Sequence, residues 1–589
     1  MSALCGYVGP TRPGLQGRMC QMLDHRAAAG WERCEMAVVQ GTAAIAHARE
    51  PLQDGPQVVA DEEGCLGYAG VLFEASLPVA GMQAHDAAPR LLSALRSGGT
   101  AVAETLDGAF VLAWSDGDTF HLLRDAAGVK VLYWAKAGRR LVFASETKAL
   151  FADPVLSKRL RPVGLAEYFT FSFIPGEHTM LEGVYELQPG HLLTFRNGEV
   201  TVYRWFRFEE QEWQEGDDDD RSHHVARLRR TFTDSTRDCL DAAGRMPGVF
   251  LSGGIDSSAV LAMVAEQRPG EPIPTFSVHF GAEYPNENEF IGQMVLRYRT
   301  EHHALELRPR HFDRRLEEIC WHLDDPIGDP VAMPNYLMAE YAARHVPVVL
   351  NGEGGDPCFG GPKNIPMLLS ELYGAPTGMD EMNWLGRQYL HSFQRAYADL
   401  DLLLGPAVRG ALDEDALIGV PRAFLRAERP RHLLNRLMAM NIRLKGANLI
   451  LVKVDKMTSA NRLVALPPLF SRSIVEESMR IPLHLKLEGV VEKSVLKHAV
   501  ADLVPRPIID RPKSGMRVPV HYWFQGELRR FAKRHLSRRK LHRLGLFDAD
   551  YVHRIIKYDG VDVRGRRHGL KLWMLITFLL WYEQFFGER

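Results

Sequence analysis

A chain of 589 residues is too long for a single hydrophobic core, so about two or three domains are expected. It is 46% hydrophobic and 24% charged with a formal net charge of −2. That ordinary balance gives no electrostatic reason to expect nucleic acid or an anionic membrane as partner. Seven irregularly spaced cysteines make no disulfide framework, and without a secretory signal the expected location is the cytoplasm.

Residues 1–150 consist largely of short alternating runs broken by glycine and aspartate. FVLAWSDGDTFHLL (110–123) reads as a hairpin turning at Ser115 to Asp118, and LYWAKAGRRLVFAS (132–145) as another turning at Ala137-Gly138. With a helical stretch at HDAAPRLLSALRS (85–97), these hairpins predict layered sheets flanked by helices. EEQEWQEGDDDDRSHH (209–224) is acidic and lacks apolar periodicity, as a solvated linker should. Beyond it the apolar runs PGVFLS, PIPTFSVHF and VPVVLNG alternate with helical segments. That alternation predicts an open parallel α/β sheet with ligands beyond the carboxyl ends of its strands. From about residue 380 the pattern is mostly helical. The most apolar run, LWMLITFLLWYEQFF (572–586), is too short for an easy membrane span and contains Glu583, so a buried core helix is expected.

In VFLSGGIDSS (249–258) an apolar strand runs into glycines and then into a helix. Glycines let backbone approach a phosphate closely, and a helix start offers unpaired N–H groups at a positive dipole end. Ser257 and Ser258 add hydroxyl donors, and the Asp256 carboxylate suits Mg²⁺. No Gly-Lys-Ser/Thr follows, so this is not the common nucleoside-triphosphatase loop. A second strand end, VVLNGEGGDPCFGG (348–361), carries Glu353 and Asp356. Two such loops suit one Mg²⁺–nucleotide site at a switch point of the sheet. RPKSGMRVP (511–519) sets Lys513 between proline and glycine, where a single lysine is ordinarily a surface residue.

These segments resemble the asparagine synthetase B family, whose relatives include β-lactam synthetases and lasso-peptide cyclases. SGGIDSS resembles its pyrophosphate loop, GEGGD its second acidic loop, and RPKSG the loop of its reactive-site lysine. TFSVHF, HLDDPIGDPVAMP (322–334), KVDKMTSA (453–460), LRDAAGVKVLYW, FASETKAL and FIPGEHTMLEGVYELQPGH extend the resemblance over nearly the whole chain. It implies an α/β protein in three parts. Residues 1–208 would form an αββα Ntn-hydrolase-like sandwich and 209–224 the acidic linker. Residues 225–589 would form a PP-loop ATP-pyrophosphatase domain, adenine nucleotide α-hydrolase-like, with a parallel sheet and a helical extension.

The resemblance also implies that ATP and Mg²⁺ serve to adenylate a small-molecule carboxylate. Ammonia or an amine then displaces AMP to form an amide; a homodimer is compatible with this. Asp256 and Asp356 would hold Mg²⁺, and Ser252, Gly253, Gly254, Ser257 and Ser258 would cradle pyrophosphate. Lys493 and Lys513 would neutralise phosphate charge, and Leu251, Val278 and Gly352 would receive adenine. Glu353 would act as general base toward the attacking amine. The β-lactam synthetase branch carries a tyrosine there, so Glu353 favours intermolecular amidation over ring closure.

Two regions depart from the family pattern. The N-terminal half resembles a glutaminase domain in which cysteine follows the initiator methionine, yet Met-Ser-Ala-Leu precedes Cys5. The family's Arg-Gly-Pro-Asp stands here as Arg26-Ala27-Ala28-Ala29 and its His-Arg-Arg as His47-Ala48-Arg49. The oxyanion-hole Asn-Gly is Ala69-Gly70, and Asp-Thr-Glu is Asp86-Ala87-Ala88. Cys5, Arg49, Gly70 and Asp86 thus read as the remnant of a glutaminase. Removal of a short propeptide would free Cys5 without restoring the asparagine, whose loss commonly costs about 10²- to 10³-fold in rate. The domain is expected to be inactive toward glutamine.

In the C-terminal half, Val464, Leu466 and Ser471 replace a glutamate, an arginine and an aspartate, and Asn335 and Pro357 also stand where other residues are usual. Either the acid is not aspartate or a buried ion pair has been repacked. Three readings follow: an asparagine synthetase, a specialised natural-product amide ligase or cyclase, and a non-catalytic partner that keeps the fold. Asp256, Glu353, Asp356 and Lys513 oppose the last.

Overall fold

The computed structural model describes residues 3–10, 13–15, 17–19, 34–39, 43–48, 57–73, 76–77, 87–116, 118–211, 220–361, 364–393, 395–558 and 567–587. The alternating N-terminal runs build two six-stranded antiparallel sheets. The first has the order Tyr185–Glu186, Tyr133–Ala137, Arg140–Ala144, Ala3–Val8, Ala43–Ala48, Cys34–Val39. The second has the order Glu199–Arg204, His191–Arg196, Thr119–Arg124, Gly108–Asp116, Cys65–Leu72, Val58–Ala60. A period of two sends Leu4, Ile45, Ala69, Val111, Phe143 and Leu193 into the space between the sheets. Helix Ala87–Ala103 covers the second sheet through Leu91, Leu92 and Leu95, while the first packs on helix Pro162–Phe171 and on the C-terminal half. This is the expected αββα sandwich. Both hairpins form, the first turning later than its sequence suggested, because pairing runs on to Asp116 opposite Thr119.

The acidic linker ends earlier than its composition implied. Helix α1, Arg221–Ala243, begins inside it because the Asp220 carboxylate accepts from Ser222 N and caps the helix. Residues 212–219 of the linker lie outside the described residues.

Five short strands then form one parallel sheet: β1 Gly248–Phe250, β2 Pro274–His279, β3 Glu301–Glu306, β4 Val348–Leu350 and β5 Val464–Leu466. Their order is β3-β2-β1-β4-β5. The chain fills one side of β1 and then the other, so connections leave the adjacent β1 and β4 in opposite directions. A crevice opens at their carboxyl ends, where open parallel sheets bind ligands. Helix α2, Ile255–Gln267, follows β1, and α3 Leu433–Met440, α4 Val452–Ser459 and α5 Arg472–Arg480 join the core around β4 and β5.

Helix α6, His568–Phe586, contains the apolar run and buries Trp573, Phe578 and Trp581 in a core shared with the N-terminal sandwich. No helix among the described residues is long and apolar enough to cross a membrane. Buried polar pairs cross the same seam. Lys130 Nζ donates to Asp455 at 2.9 Å, Lys456 Nζ to Ser145 O at 2.8 Å, and Asn448 Nδ2 to Glu186 at 2.8 Å.

Candidate functional site

β1 hands over to Leu251-Ser252-Gly253-Gly254, the turn into α2. Gly253 has φ +72, and a Cβ there would press at 3.1 Å on Glu287 O and Phe290 Cβ, so conformation and space both ask for glycine. The turn is tied within itself: Ser252 N donates to Ser257 Oγ at 3.0 Å, and the two hydroxyl oxygens lie 3.0 Å apart. Arg511 clamps it from outside, donating to Gly253 O at 3.2 Å, pairing with Glu287 and lying 4.1 Å over the Phe290 ring.

β4 leads into Asn351-Gly352-Glu353-Gly354, where Asn351 Oδ1 accepts from Glu353 N at 3.0 Å. A Cβ on Gly352 would stand 2.5 Å from Ser257 N, and one on Gly355 would collide with Asp256 Oδ1. Glycine is what lets the second loop reach the first.

Four charges meet across this crevice. Lys493 Nζ donates to the two Asp256 oxygens at 2.8 and 2.6 Å and stands 2.5 Å from Asp356 Oδ1. Lys513 Nζ donates to Asp256 Oδ2 at 2.8 Å and lies 3.6 Å from Asp356 Oδ1. Lys493 is wholly buried with a left-handed backbone (φ +56), a strained choice for a non-glycine residue. Lys513 is not the surface lysine its loop suggested, and Glu492 Oε1 seats it by accepting from its backbone N at 3.1 Å.

Burial alone would raise the Asp356 carboxyl, but Lys493 and Lys513 hold it below the usual range. Burial alone would lower the Lys513 ammonium, but Asp256 and Asp356 hold it above its usual range. Asp356 keeps 34% of its side chain exposed, although its Oδ1 is covered and accepts no hydrogen bond beyond the ion pairs. Glu353 behaves oppositely: burial pushes its carboxyl up, with Lys453 and then Lys513 opposing. Lys453, on α4, is buried and donates to Asp329 at 2.5 Å.

Asp256 and Asp356 facing common cations suit Mg²⁺ that arrives with a nucleotide and takes the rest of its shell from phosphate and water. Among the described residues no group of three or more His, Cys, Asp or Glu suits a metal held by protein alone. Leu251 follows β1 and the half-buried Val278 lies in the neighbouring β2, with Leu251 N donating to Phe276 O at 2.8 Å. The Ser258 side chain, expected in the phosphate cradle, is fully buried and its hydroxyl has no hydrogen-bond partner among the described residues, on a helix buried from its first turn onward. Beside Asp356 opens a cleft lined by Pro357, Asn364, Asn441, Lys445 and Ile450.

The N-terminal remnant looks different. Cys5 sits mid-strand between Ala46 and Ala144 and is fully buried. The residue before it is woven into the sheet: Leu4 N donates to Ser145 Oγ at 3.0 Å and Leu4 O accepts from Ser145 N at 2.8 Å. Cys5 belongs to the same buried core cluster as Ala3, Tyr7, Leu15 and Met19, whereas Leu4 and Ala69 share the space between the sheets. Gly70 has φ +108, and a Cβ would collide with Ala109 O, so sheet packing explains that glycine. Arg49, Asp86 and the Arg26-to-Ala29 segment lie outside the described residues.

The family model described as asparagine synthase matches residues 227–583, and the model of a glutamine amidotransferase domain matches residues 1–206. The chain belongs to the asparagine synthase family. Asparagine synthetase [glutamine-hydrolyzing] 1 of Bacillus subtilis strain 168 is 27% identical over 532 residues, 84% of this chain and 80% of the relative. Asparagine synthetase [glutamine-hydrolyzing] 3 of the same strain is 27% identical over 436 residues, 69% of this chain and 67% of the relative. Amidase chyE of Penicillium rubens is 27% identical over 275 residues, 43% of this chain and 39% of the relative.

Against the asparagine synthase pattern, Val464 and Leu466 lie in β5, each 1% exposed, inside the core. Ser471 caps α5, accepting from Ile474 N at 3.3 Å and bonding Ser235 Oγ at 2.9 Å. Repacking accounts for these three without invoking substrate. Pro357 does line the cleft, and Asn335 is half-buried in helix Ala332–Ala342. Sequence reasoning missed Arg511, Glu492 and Lys453. Arg511 and Lys453 are the first residues of quoted motifs, whereas nothing in the chain marks Glu492.

Proposed function

We propose that this chain is an ATP-dependent amide ligase. It adenylates a small carboxylic acid, releases pyrophosphate and passes the acyl group to ammonia or an amine taken from solvent. The observation that carries this reading is the cluster of Asp256, Asp356, Lys493 and Lys513 at the β1/β4 crevice. The Ser252-to-Gly254 turn and the start of α2 hold phosphate oxygens. Lys493 and Lys513 neutralise the charge that develops as the acid's oxygen bonds the α-phosphorus and the bond to pyrophosphate breaks. Mg²⁺ held by Asp256 and Asp356 would supply Lewis-acid polarisation of those oxygens.

Glu353 takes the proton that the amine loses as its nitrogen bonds the acyl carbon and AMP departs. A carboxyl raised by burial is a stronger base for that transfer. The N-terminal domain supports the synthetase half without hydrolysing glutamine. The Cys5 thiol is free and fully buried, and Ala69 offers no side-chain amide.

The test is ATP–pyrophosphate exchange against a panel of carboxylic acids. Exchange that depends on one acid is expected; no exchange with any acid, by protein that still binds Mg·ATP, would return the chain to a non-catalytic role.

A further inference from the structure

Beneath the acidic loop lies a lysine that this chemistry does not use. Lys486, at the end of helix Leu483–Lys486, is fully buried. A Cβ built on Gly360 would lie 3.5 Å from Lys486 Cβ, so the stem of this lysine underlies the loop that carries Glu353 and Asp356. Its Nζ donates to Asn435 Oδ1 at 2.5 Å, and Asn435 Nδ2, on α3, donates to Glu210 Oε1 at 2.5 Å. An ammonium needs the amide oxygen and a carboxylate needs the amide N–H, so these two partners fix the orientation of Asn435.

Glu210 is itself anchored, its side chain 6% exposed, with His432 Nδ1 2.7 Å from Oε1 and Arg431 N donating to Oε2 at 2.5 Å. It belongs to the segment that leaves the last sandwich strand, Glu199–Arg204. The other titratable groups facing Lys486 are Cys358 of the acidic loop and Glu477 of α5, the latter paired with Arg227 at 2.7 Å. Burial pushes the Lys486 ammonium down to about 7 against the pull of Glu210, Cys358 and Glu477. A lysine kept in such a place is held by what it joins.

We infer that Lys486 is a positioning residue for the acidic loop, and that Glu210–Asn435–Lys486 couples the seating of that loop to the segment leaving the N-terminal sandwich. The sandwich then matters to the synthetase half through its exit segment. The consequence for nucleotide binding rests on the proposed function; the mechanical coupling does not.

The test uses the full-length protein as wild type, Glu210→Gln, Lys486→Met and the double variant. Two readouts are followed: amide hydrogen exchange of residues 352–361, and Mg·ATP affinity by calorimetry. Each single substitution should speed exchange in 352–361 and weaken Mg·ATP binding about 5- to 10-fold, and the double should be no worse than the worse single. The wild type is expected to change in Mg·ATP affinity across pH 7, and Lys486→Arg, which stays charged from pH 6 to 9, should not. Unchanged exchange of 352–361 in Glu210→Gln, or single effects that multiply in the double, would overturn the coupling. If Lys486→Met does not fold, Glu210→Gln and Lys486→Arg decide the matter by the same readouts. Wild type that binds no Mg·ATP would sink the proposed function, while exchange in 352–361 would still decide the coupling.

Discussion

Cys5 and Lys493 are both fully buried, yet one lies among apolar side chains and the other between two aspartates. A thiol tolerates an apolar setting and can stay as a packing residue after its chemistry is gone. An ammonium does not. Left without its carboxylates, a buried charge costs about 3–5 kcal/mol. Lys493 therefore persists only with Asp256 and Asp356, and its burial reports an intact cluster. The same argument separates Ala69, which fills space between the sheets, from the half-buried Glu353, whose carboxyl faces two cations at a distance.

The sharpest way to break this contrast is Asp256→Asn, which leaves Lys493 and Lys513 short of a counter-charge. Acid-dependent ATP–pyrophosphate exchange should fall by about 10³-fold or more, and a lowered melting temperature should accompany it. Exchange near the wild-type level would remove Asp256 from the reacting cluster. Glu353→Gln should spare exchange but slow amide formation by about 10²- to 10⁴-fold; equal loss of both would make Glu353 structural. In the wild type the amide-forming rate should rise with pH, with a midpoint above the ordinary glutamate value because burial raises that carboxyl. Lys453→Met removes a charge that lowers it, so the midpoint should move further up.

A smaller effect concerns stability. Below pH 7 folded and unfolded chains both carry the Lys486 proton, and the cost of burying that charge is complete. From about 7 toward the ordinary lysine value only the unfolded chain keeps it, so the wild type should gain stability relative to Lys486→Met by roughly 2–4 kcal/mol. Chemical denaturation at pH 7 and pH 10 would measure it, and parallel profiles would show that Lys486 is not buried as a charge. Smallest of all, Cys5→Ala should leave ammonia-dependent activity within about twofold of wild type, as a buried packing residue allows. A glutamine-dependent activity abolished by that substitution would overturn the contrast with which this section begins.

Much of the crevice was legible in the chain because glycine carries positional meaning. Gly253, Gly352 and Gly355 sit where a Cβ would press on or strike the neighbouring loop, and they frame Asp256, Glu353 and Asp356. Layered sheets flanked by helices followed from alternation, their αββα order from the family resemblance, and the parallel sheet from apolar runs ending in small residues. Lys486 was illegible: a lysine between two leucines looks like any amphipathic position, and its partners lie 51 residues away and farther. A serine beside a phosphate-type loop gives no sign of which side of the helix it takes, so the full burial of the Ser258 hydroxyl was not legible. Val464 and Leu466 were ambiguous for a similar reason, since one segment can line a pocket or close a core, and β5 closes a core.

The long reach of the ionic cluster also sets an order of events during synthesis. Asp256 emerges 237 residues before Lys493 and 257 before Lys513. At about 5–20 residues per second, the ribosome takes roughly 12–50 s to supply the first of those cations. Over that interval the sandwich can fold and the first strands can collapse, but the aspartate has no partner to neutralise it inside a core. A chain stopped short of residue 493 should therefore leave that carboxylate unpaired and be cut by proteases as an unfinished domain.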